Sequence, residues 1–539
     1  MTLPPPLVPR RRISGESLLF GFLLILHLAP IWLLPFIPTQ DGPGHQALAF
    51  ILRHYGRPEA GILREYYLPN REALPNWFFF FLMSKVLGFV SIPRAEKILL
   101  TAYVLLLPLS VRYALRTIDP RAGFLAVLSF PFLYNFLFQM GFFNFCFSLG
   151  AFFCAVGYWL EAPDRATLLR TVGLAFLILW VYFCHPVTLA VTVATLLTLA
   201  GWRMLLALRS EGLAAGFRRW LLGPLFASLP ALVLMAAFVG KRTGSKLSFL
   251  PLAVKLKHLA GLYSLASVSR STIPLALALA VLFSLVAAFC LWSRRKRSLE
   301  TGDGWLLAAA LLSVACLAAP SELSGGGFIN HRLVLFPFLV LIPWFATFDH
   351  PAWRRRAIQT VAAGLALAFL GVFAWMWSRI DEGISRIVAA GRHIEPDHTV
   401  LFLSYAHQGE RRNGRPLVFR TWPFVHAGGY IGAEKRLVDL SLYEASEDYF
   451  PIYFNPRLDP ARHLATVPLG IETEPPRVDL LRYKRTGGRI DYVLLWGLRE
   501  ERRDEPAVRK TLRQLAKGYE EVWTSPDGWV ELYRARARG

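Results

Sequence analysis

The sequence predicts an α-helical polytopic membrane protein with about eleven transmembrane helices, followed by a soluble C-terminal α/β domain. Apolar residues make up 54% of the 539 residues, and charged residues only 18%. The apolar residues occur in runs of roughly twenty, the length that an α-helix needs to cross the hydrocarbon core of a bilayer. After Ser378, charged residues become frequent and short β-rich stretches appear, which indicates a soluble domain.

The predicted transmembrane helices correspond to apolar runs, of which the sixth is taken as one helix kinked at Pro186. The first run follows three arginines and lacks a small-residue cleavage site, so we expect a membrane anchor instead of a cleaved signal peptide. The runs cover residues 17–38, 75–92, 98–115, 121–139, 141–160, 168–202, 220–240, 273–292, 304–320, 332–348 and 356–378.

Strongly basic connectors predict the orientation of the chain, because such connectors usually face the cytoplasm. They lie at residues 10–12, 203–219, 293–297 and 353–356. Counting the runs alternately from a cytoplasmic N-terminus places all four on the cytoplasmic side. We therefore expect an integral protein of a bacterial inner membrane whose C-terminal domain is periplasmic or extracellular.

Two basic segments disagree with this count. The connector that holds Arg112, Arg116 and Arg121 is placed outside, and so are residues 241–270, which carry six basic residues and no acidic one. Basic residues on the outer face need an explanation, and an anionic phosphate at the membrane surface supplies one.

The composition divides the chain into a membrane domain, residues 1–378 with a long first outer loop at 39–74, and an extracytoplasmic α/β domain, residues 379–539. Residues 399–403, 491–496 and 529–533 are its clearest predicted strands. The net charge of +22 lies mostly in short loops without a recognition motif, so no nucleic acid is expected as a partner. The five cysteines form no CxxC pair, so neither a disulfide framework nor a zinc site is predicted.

Asp41 is the leading candidate for a catalytic residue, because it follows the first apolar run and heads the long outer loop. Apolar residues at helical spacing predict a helix from His45 to Tyr55, which would hold Asp41 near the membrane surface at a positive helix end. His45 lies one helical turn away and could share a metal ion or a proton with Asp41. A simple helix cap or turn at Asp41 explains the same residues.

Two further outer segments are candidates for binding a phosphate. Lys241, Arg242 and Lys246 belong to the acid-free segment, for which contact with bulk anionic lipid is the alternative explanation. His331 and Arg332 follow three glycines at the outer start of the tenth run, where backbone amides and a guanidinium can approach a ligand closely. A flexible connector with a snorkelling arginine is the alternative there.

The C-terminal domain offers weaker candidates for a sugar site. They are residues 424–430, which contain His426, and the pair Tyr443 and Glu444. For the first segment, a turn at Gly428 and Gly429 is the favoured explanation. No P-loop, dinucleotide fingerprint, nucleophile elbow or HExxH motif occurs.

These features together resemble the GT-C class of integral-membrane glycosyltransferases. The resemblance rests on the cytoplasmic N-terminus, Asp41 in a long outer loop, about eleven spans and an outer α/β domain, and it covers the whole chain. It implies transfer of a hexosyl or pentosyl group from a polyprenyl-phosphate carrier to a glycan, lipid or protein acceptor, with Asp41 as general base. Many members carry two acids in this loop, whereas here Gly42 and Pro43 follow Asp41.

The resemblance leaves Glu65 or Glu72 as the candidates for a second acid and Lys241, Arg242, Lys246 and Arg332 as expected phosphate contacts. No cofactor is required by these residues, and whether Mg²⁺ or Mn²⁺ takes part stays open. Inverting transfer needs one carboxylate and a basic phosphate cradle, while two-carboxylate glycoside hydrolysis needs a second acid that the near loop lacks. A flippase or transporter for a lipid-linked saccharide and a non-catalytic membrane scaffold are the alternative functions.

Overall fold

The computed structural model describes residues 14–165, 167–241, 247–295, 298–323, 326–411 and 413–536. Its first part is a bundle of apolar helices, and its last part is a mixed α/β unit. The bundle and the loops at its ends contain α1 (Gly15–Leu33), α2 (Gly42–His54), α3 (Gly61–Tyr66), α4 (Phe78–Val86), α5 (Ile92–Ile118), α6 (Phe136–Gln139), α7 (Phe143–Leu160), α8 (Leu168–Cys184), α9 (Pro186–Glu211), α10 (Leu213–Gly216), α11 (Leu222–Gly240), α12 (Leu252–Ala260), α13 (Thr272–Arg294), α14 (Asp303–Ala318), α15 (Ile329–Phe345) and α16 (Ala352–Ala389).

In the described part of the chain, seven helical segments are long and apolar enough to cross a membrane, and α8, α14 and α15 are shorter apolar helices. A 3₁₀ helix, Pro120–Phe132, accompanies them. Its 13 residues cover roughly 26 Å because a 3₁₀ helix rises about 2 Å per residue. The described residues thus make eleven passes between the two ends of the bundle, the number predicted from the sequence.

Contacts between connectors define the two ends. At the first, here called the basic end, Arg355 pairs with Glu16 at 3.1 Å and Arg219 pairs with Asp164 at 3.3 Å. At the second, here called the Asp41 end, the backbone amide of Asp41 donates to Met140 O at 3.1 Å. The connectors therefore alternate between the ends as a bundle of consecutive passes requires.

The prediction that residues 75–92 cross the membrane is wrong. The segment forms only α4, whose nine residues span roughly 14 Å, about half of the hydrocarbon core. The amide of Trp77 donates to Phe183 O at 3.0 Å and the amide of Phe79 to Asn144 Oδ1 at 2.8 Å. These hydrogen bonds hold α4 at the Asp41 end.

The prediction of one kinked helix over residues 168–202 is also wrong. His185 has an extended backbone between α8 and α9, because a residue before proline is driven away from the helical region. Arg170, near the start of α8, donates to Tyr158 O at the basic end, and Glu211, at the end of α9, pairs there with Arg219 at 2.6 Å. The segment makes two passes, and this second error cancels the first in the total of eleven.

The corrected order explains the arginines that disagreed with the count. Arg112 donates to Ser17 Oγ at 2.8 Å, and Arg121 pairs with Asp349 at 3.4 Å, so both lie at the basic end and not at the Asp41 end. The connector was misplaced because 75–92 had been counted as a pass before it. The described parts of the connectors 203–219, 293–297 and 353–356 share this end with Arg112 and Arg121, whereas residues 241–270 stay at the Asp41 end, where Lys241 pairs with Glu72.

The C-terminal unit is built on a five-stranded sheet with the order β3-β2-β5-β7-β6. Strand β2 runs parallel to β3 and β5, and β7 runs antiparallel to β5 and β6. The three predicted strands are confirmed as β2, β5 and β7. The strands are β1 (Tyr67–Pro69), β2 (Thr399–Ser404), β3 (Val438–Asp439), β4 (Ile452–Phe454), β5 (Tyr492–Trp496), β6 (Tyr519–Thr524) and β7 (Val530–Ala535), and the helices are α17 (Gly429–Lys435), α18 (Pro460–His463), α19 (Leu480–Arg485) and α20 (Pro506–Gly518).

The first outer loop and the C-terminal unit are joined. Strand β1 of the loop pairs antiparallel with β4, so that Tyr67 lies opposite Phe454. The helix α16 continues past Ser378 to Ala389, so the predicted boundary between residues 378 and 379 falls inside a helix. The C-terminal unit is therefore held over the Asp41 end by both a strand pair and a continuous helix.

Cysteine labelling in intact cells tests the order of passes. In a variant without the native cysteines, we expect a membrane-impermeant maleimide to label Glu59→Cys and Glu434→Cys but to leave Arg121→Cys and Arg218→Cys unlabelled until the membrane is permeabilised. All four positions are exposed, so burial does not limit the reaction. Labelling of Arg121→Cys in intact cells would contradict the pass assigned to the 3₁₀ helix.

Candidate active site

Asp41 lies at the N-terminus of α2. The predicted helix His45–Tyr55 is confirmed as α2, which begins three residues earlier than expected. The carbonyl of Asp41 accepts the His45 amide at 3.0 Å, but its side chain makes no capping hydrogen bond. The carboxylate is consequently free to face another part of the chain.

Glycines let the C-terminal unit approach the first turn of α2 closely. A Cβ atom at Gly429 would lie 2.7 Å from Pro43 C, and one at Gly44 would collide with the Glu444 carboxylate. Gly141, with φ of +88°, has the left-handed conformation that favours glycine, and a Cβ there would lie 2.9 Å from Asp41 N. The Gly-Pro-Gly and Gly-Gly sequences thus serve a close contact between distant segments.

The Asp41 carboxylate meets two side chains of the C-terminal unit. Tyr443 Oη donates to Asp41 Oδ2 at 3.0 Å, and His426 Nε2 lies 3.8 Å from Asp41 Oδ1. The rings of His426 and Tyr443 pack with their centroids 4.8 Å apart. Asp41 is only 2% exposed, and its Oδ1 atom has no hydrogen-bond partner.

Burial changes the proton affinity of this group. Desolvation raises the pKa of Asp41 to about 7, against the opposing effects of the Tyr443 and Gln40 side chains. Burial lowers the pKa of His426 to about 3, so its imidazole is neutral at physiological pH. A carboxylate that titrates near pH 7 has the proton affinity that a general base needs.

Two more carboxyl groups surround Asp41, and neither comes from the first outer loop. Glu444 is fully buried, neither of its carboxylate oxygens has a hydrogen-bond partner, and burial together with the nearby Asp41 raises its pKa well above the usual value. Burial and Asp41 also raise the pKa of Glu472 to about 8. Three carboxyl groups in one desolvated pocket do not all ionise at neutral pH.

His45, a predicted ligand, faces Glu444 instead of the Asp41 carboxylate. Its Nε2 atom lies 3.9 Å from Glu444 Oε1, and burial lowers its pKa to about 3. Within the residues that the structure describes, no three histidine, cysteine or carboxylate side chains are arranged to hold a metal ion. The sharing of a metal or proton between Asp41 and His45 stays a prediction.

Arg332, in the first turn of α15, packs against Phe142, which lies two residues after Met140, the residue that accepts from the Asp41 amide. Its guanidinium packs over the Phe142 ring, 4.7 Å from the centroid, and donates to Gly327 O. It is buried, its Nε atom has no partner, and in the described chain it forms no ion pair with a carboxylate. Tyr449 and Tyr443 are among its electrostatic neighbours, and Tyr443 also donates to Asp41.

His331 is part of a neighbouring cationic group that includes a residue the sequence analysis missed. Arg420 Nη2 lies 2.9 Å from His331 Nε2, and Arg420 also donates to the carbonyl oxygens of Tyr263 and Ala266. Its guanidinium covers the Phe136 ring at 4.0 Å. Arg420 therefore connects the C-terminal unit to the start of α15, at the Asp41 end.

The other predicted residues do not reach Asp41 in the structure. Lys241 pairs with Glu72 at 2.8 Å, and Glu65 pairs with Arg489 at 3.2 Å, all at the surface. Neither Glu65 nor Glu72 therefore acts as the second acid beside Asp41. Arg242 and Lys246 lie outside the described residues.

The sequence contained a signal for the residues that do reach Asp41. His426, Tyr443 and Glu444 stood in the two segments named as weaker sugar-site candidates, and the structure brings both segments to Asp41. What sequence reasoning missed was the link between them and the first loop, because a separation of 402 residues leaves no local pattern.

Solved structures with a similar fold exist. The chain is similar to the crystal structure of ArnT from Cupriavidus metallidurans in the apo state, with 11% sequence identity and a TM-score of 0.48 over 96% of this chain and 97% of that chain. No family model and no curated protein matches the chain. Likeness at this level concerns the fold, so the chemistry is argued from the residues.

The stability of an Asp41→Asn variant tests the electrostatics of the site. Because the folded-state pKa of Asp41 is raised to about 7, its contribution to stability is present below its unfolded pKa and is lost as pH rises through 7. We expect Asp41→Asn to unfold at a higher temperature than the wild type at pH 8, with the difference disappearing near pH 4. Melting curves in detergent at several pH values measure this.

Asp479→Asn is the matched control. Hydrogen bonds from Lys510, the Arg482 amide and Gln514 outweigh desolvation and lower the pKa of Asp479, so its ionised form stabilises the fold. This variant should lose stability at pH 8 instead of gaining it. An Asp41→Asn variant that melts below the wild type at pH 8 would show that the Asp41 carboxylate is not held at an energetic cost.

Proposed function

We propose that this protein is a membrane glycosyltransferase of the GT-C type, in which Asp41 takes a proton from the acceptor and Arg332 holds the phosphate of a polyprenyl-phosphate sugar. The observation that carries the proposal is that Tyr443 donates to the buried Asp41 carboxylate, whose pKa is raised to about 7, and is also an electrostatic neighbour of the buried Arg332, which has no carboxylate partner in the described chain. A buried cation without a counter-ion is costly unless a ligand supplies the negative charge.

The reaction follows from this arrangement. The acceptor hydroxyl gives its proton to Asp41 while its oxygen attacks the anomeric carbon of the sugar. The bond from that carbon to the phosphate oxygen breaks, and the electron pair stays on the phosphate, whose charge Arg332 stabilises. Attack opposite the leaving group inverts the anomeric carbon, and polyprenyl phosphate is the second product.

The remaining expectations belong to this proposal. Lys241, Arg242 and Lys246 are further phosphate contacts from the outer loop, and His45 and His331 support the substrate pocket. The protein acts at the outer face of a bacterial inner membrane, with the N-terminus in the cytoplasm. The sugar is a hexose or pentose, and the acceptor is a glycan, lipid or protein.

Glycoside hydrolysis is the second candidate, because the structure brings Glu444 to Asp41 although the near loop has no second acid. Hydrolysis of a sugar with a neutral leaving group would give Arg332 no anion to bind, so the uncompensated arginine favours a phosphate leaving group. A flippase would bind the same lipid without breaking the glycosidic bond, and a scaffold would not need the converging charges.

Donor cleavage by the purified full-length chain in lipid nanodiscs tests the reaction. A panel of polyprenyl-phosphate hexoses and pentoses is incubated with water as the acceptor, and release of polyprenyl phosphate is measured. We expect Asp41→Asn to lower the rate at least about a hundredfold, because general-base catalysis contributes that much. In the wild type the rate should fall as pH drops through about 7, where Asp41 gains its proton. Release that is unaffected in Asp41→Asn would exclude Asp41 as the base.

Binding of polyprenyl phosphate alone tests the role of Arg332. A ligand that binds the folded state raises the melting temperature with concentration, so polyprenyl phosphate should stabilise the wild type and Arg332→Lys but not Arg332→Gln. Arg270→Gln, at an exposed arginine of the same outer face, is the matched control and should keep the effect. Stabilisation of all variants by the uncharged polyprenol would show that the phosphate is not recognised.

A further inference from the structure

Asp41 Oδ1 and His426 Nε2 flank a position, here called the gap, from which one oxygen atom lying beside both of them can hydrogen-bond to each. Asp41 Oδ1 and His426 Nε2 are 3.8 Å apart, which is too long for a direct hydrogen bond. An oxygen placed between them can lie at about 2.8 Å from both, the usual hydrogen-bond length. Asp41 Oδ1 is also the buried carboxylate atom that has no partner.

The other carboxylate oxygen of Asp41, Oδ2, already has a hydrogen-bond partner. Tyr443 Oη donates to Asp41 Oδ2 at 3.0 Å, and the Tyr443 ring packs against His426. Burial raises the pKa of Tyr443 well above 10, so it stays a phenol that donates to the carboxylate. Tyr443 thereby fixes the rotamer of Asp41 and leaves Oδ1 directed at the gap.

The two sides of the gap differ in hydrogen-bonding character. Asp41 in its ionised form only accepts, whereas a neutral imidazole donates through one nitrogen, and burial keeps His426 neutral. A hydroxyl group satisfies both sides, since it donates one proton and accepts through its lone pairs. This arrangement requires the His426 tautomer that carries its proton on Nε2.

We propose that Asp41 Oδ1 and His426 Nε2 hold the acceptor hydroxyl between them, and that Tyr443 is the positioning residue that directs Asp41 to it. This inference rests on the proposed function and adds two residues to it: His426, which contacts the acceptor oxygen, and Tyr443, which holds the Asp41 carboxylate in place. The hydroxyl proton passes to Asp41 Oδ1, the oxygen forms the new bond to the anomeric carbon, and the phosphate leaves with the electron pair. His426 keeps its proton and only orients the oxygen.

Several other groups influence Asp41 and stay unchanged in the test. They are His45 on α2, Glu444 beside Tyr443, Glu472 of the C-terminal unit, and Arg332, an electrostatic neighbour of Tyr443.

Replacement of His426 tests the contact with the acceptor. With water as acceptor and the donor that the wild type cleaves fastest, we expect His426→Phe, which keeps a ring against Tyr443, to lower kcat about tenfold by losing one hydrogen bond. The donor KM should stay unchanged because the phosphate contact is intact. His426→Gln, which keeps a donor on a side chain of similar length, should recover part of the rate.

Replacement of Tyr443 tests the positioning role. Because the Tyr443 hydrogen bond lowers the pKa of Asp41, Tyr443→Phe should move the acid limb of the pH profile upward by roughly one pH unit, while His426→Phe should leave that limb in place. The control is Tyr492→Phe in β5, which removes a buried hydroxyl without a partner and should move nothing. Infrared spectroscopy measures the pKa of Asp41 without turnover, because the Asp41 carboxyl band is the one that disappears in Asp41→Asn. Its titration should show the same upward shift in Tyr443→Phe.

The outcomes separate this inference from the proposed function. Suppose that wild-type cleavage depends on Asp41. A His426→Phe variant with wild-type kcat, or a Tyr443→Phe variant whose acid limb does not move, would then overturn the inference and leave the transferase proposal in place. Absence of cleavage of every donor by the wild type overturns both. A loss of folded protein common to all variants is removed by scaling each rate to the correctly folded fraction.

Discussion

The hydrogen bond between Tyr443 and Asp41 is the interaction on which the site depends. It joins residues 402 positions apart and exists only because the C-terminal unit packs against the first turn of α2. That packing requires glycine at Gly44 and Gly429, where a side chain would collide with the facing segment. The consequence is a carboxylate removed from water, and removal from water is what raises its pKa into the range of a useful base.

The charged groups of the site have no nearby partners of opposite charge in the described chain. Asp41, Glu444 and Glu472 share a desolvated pocket, and the buried Arg332 has no carboxylate partner in the described chain. A fold selected only for stability would pair or replace such groups. Buried groups of this kind are typical of sites where stability is given up for binding or catalysis. The proposed transferase reaction assigns a hydroxyl proton to Asp41 and a phosphate to Arg332.

The sequence predicted the correct number of passes through the membrane domain, eleven, but it assigned two segments wrongly. The helix α4 was counted as a pass because its apolar composition resembles a span, although nine residues are too few to cross. The run that contains α8 and α9 was counted once because hydropathy does not distinguish a kink at Pro186 from a reversal. The arginines 112, 116 and 121 carried the correcting signal, since their charge conflicted with the predicted side.

The sequence by itself determined that the chain is a polytopic membrane protein, that Asp41 lies at the start of a helix, and where three strands of the C-terminal sheet lie. These features follow from local composition and periodicity. Only the tertiary structure decided that His426, Tyr443 and Glu444, rather than Glu65 or Glu72, surround Asp41. The physical reason is that burial and pairing across hundreds of residues arise from the packing of one unit on another. No local pattern of residues records which distant segment will supply the neighbouring charge.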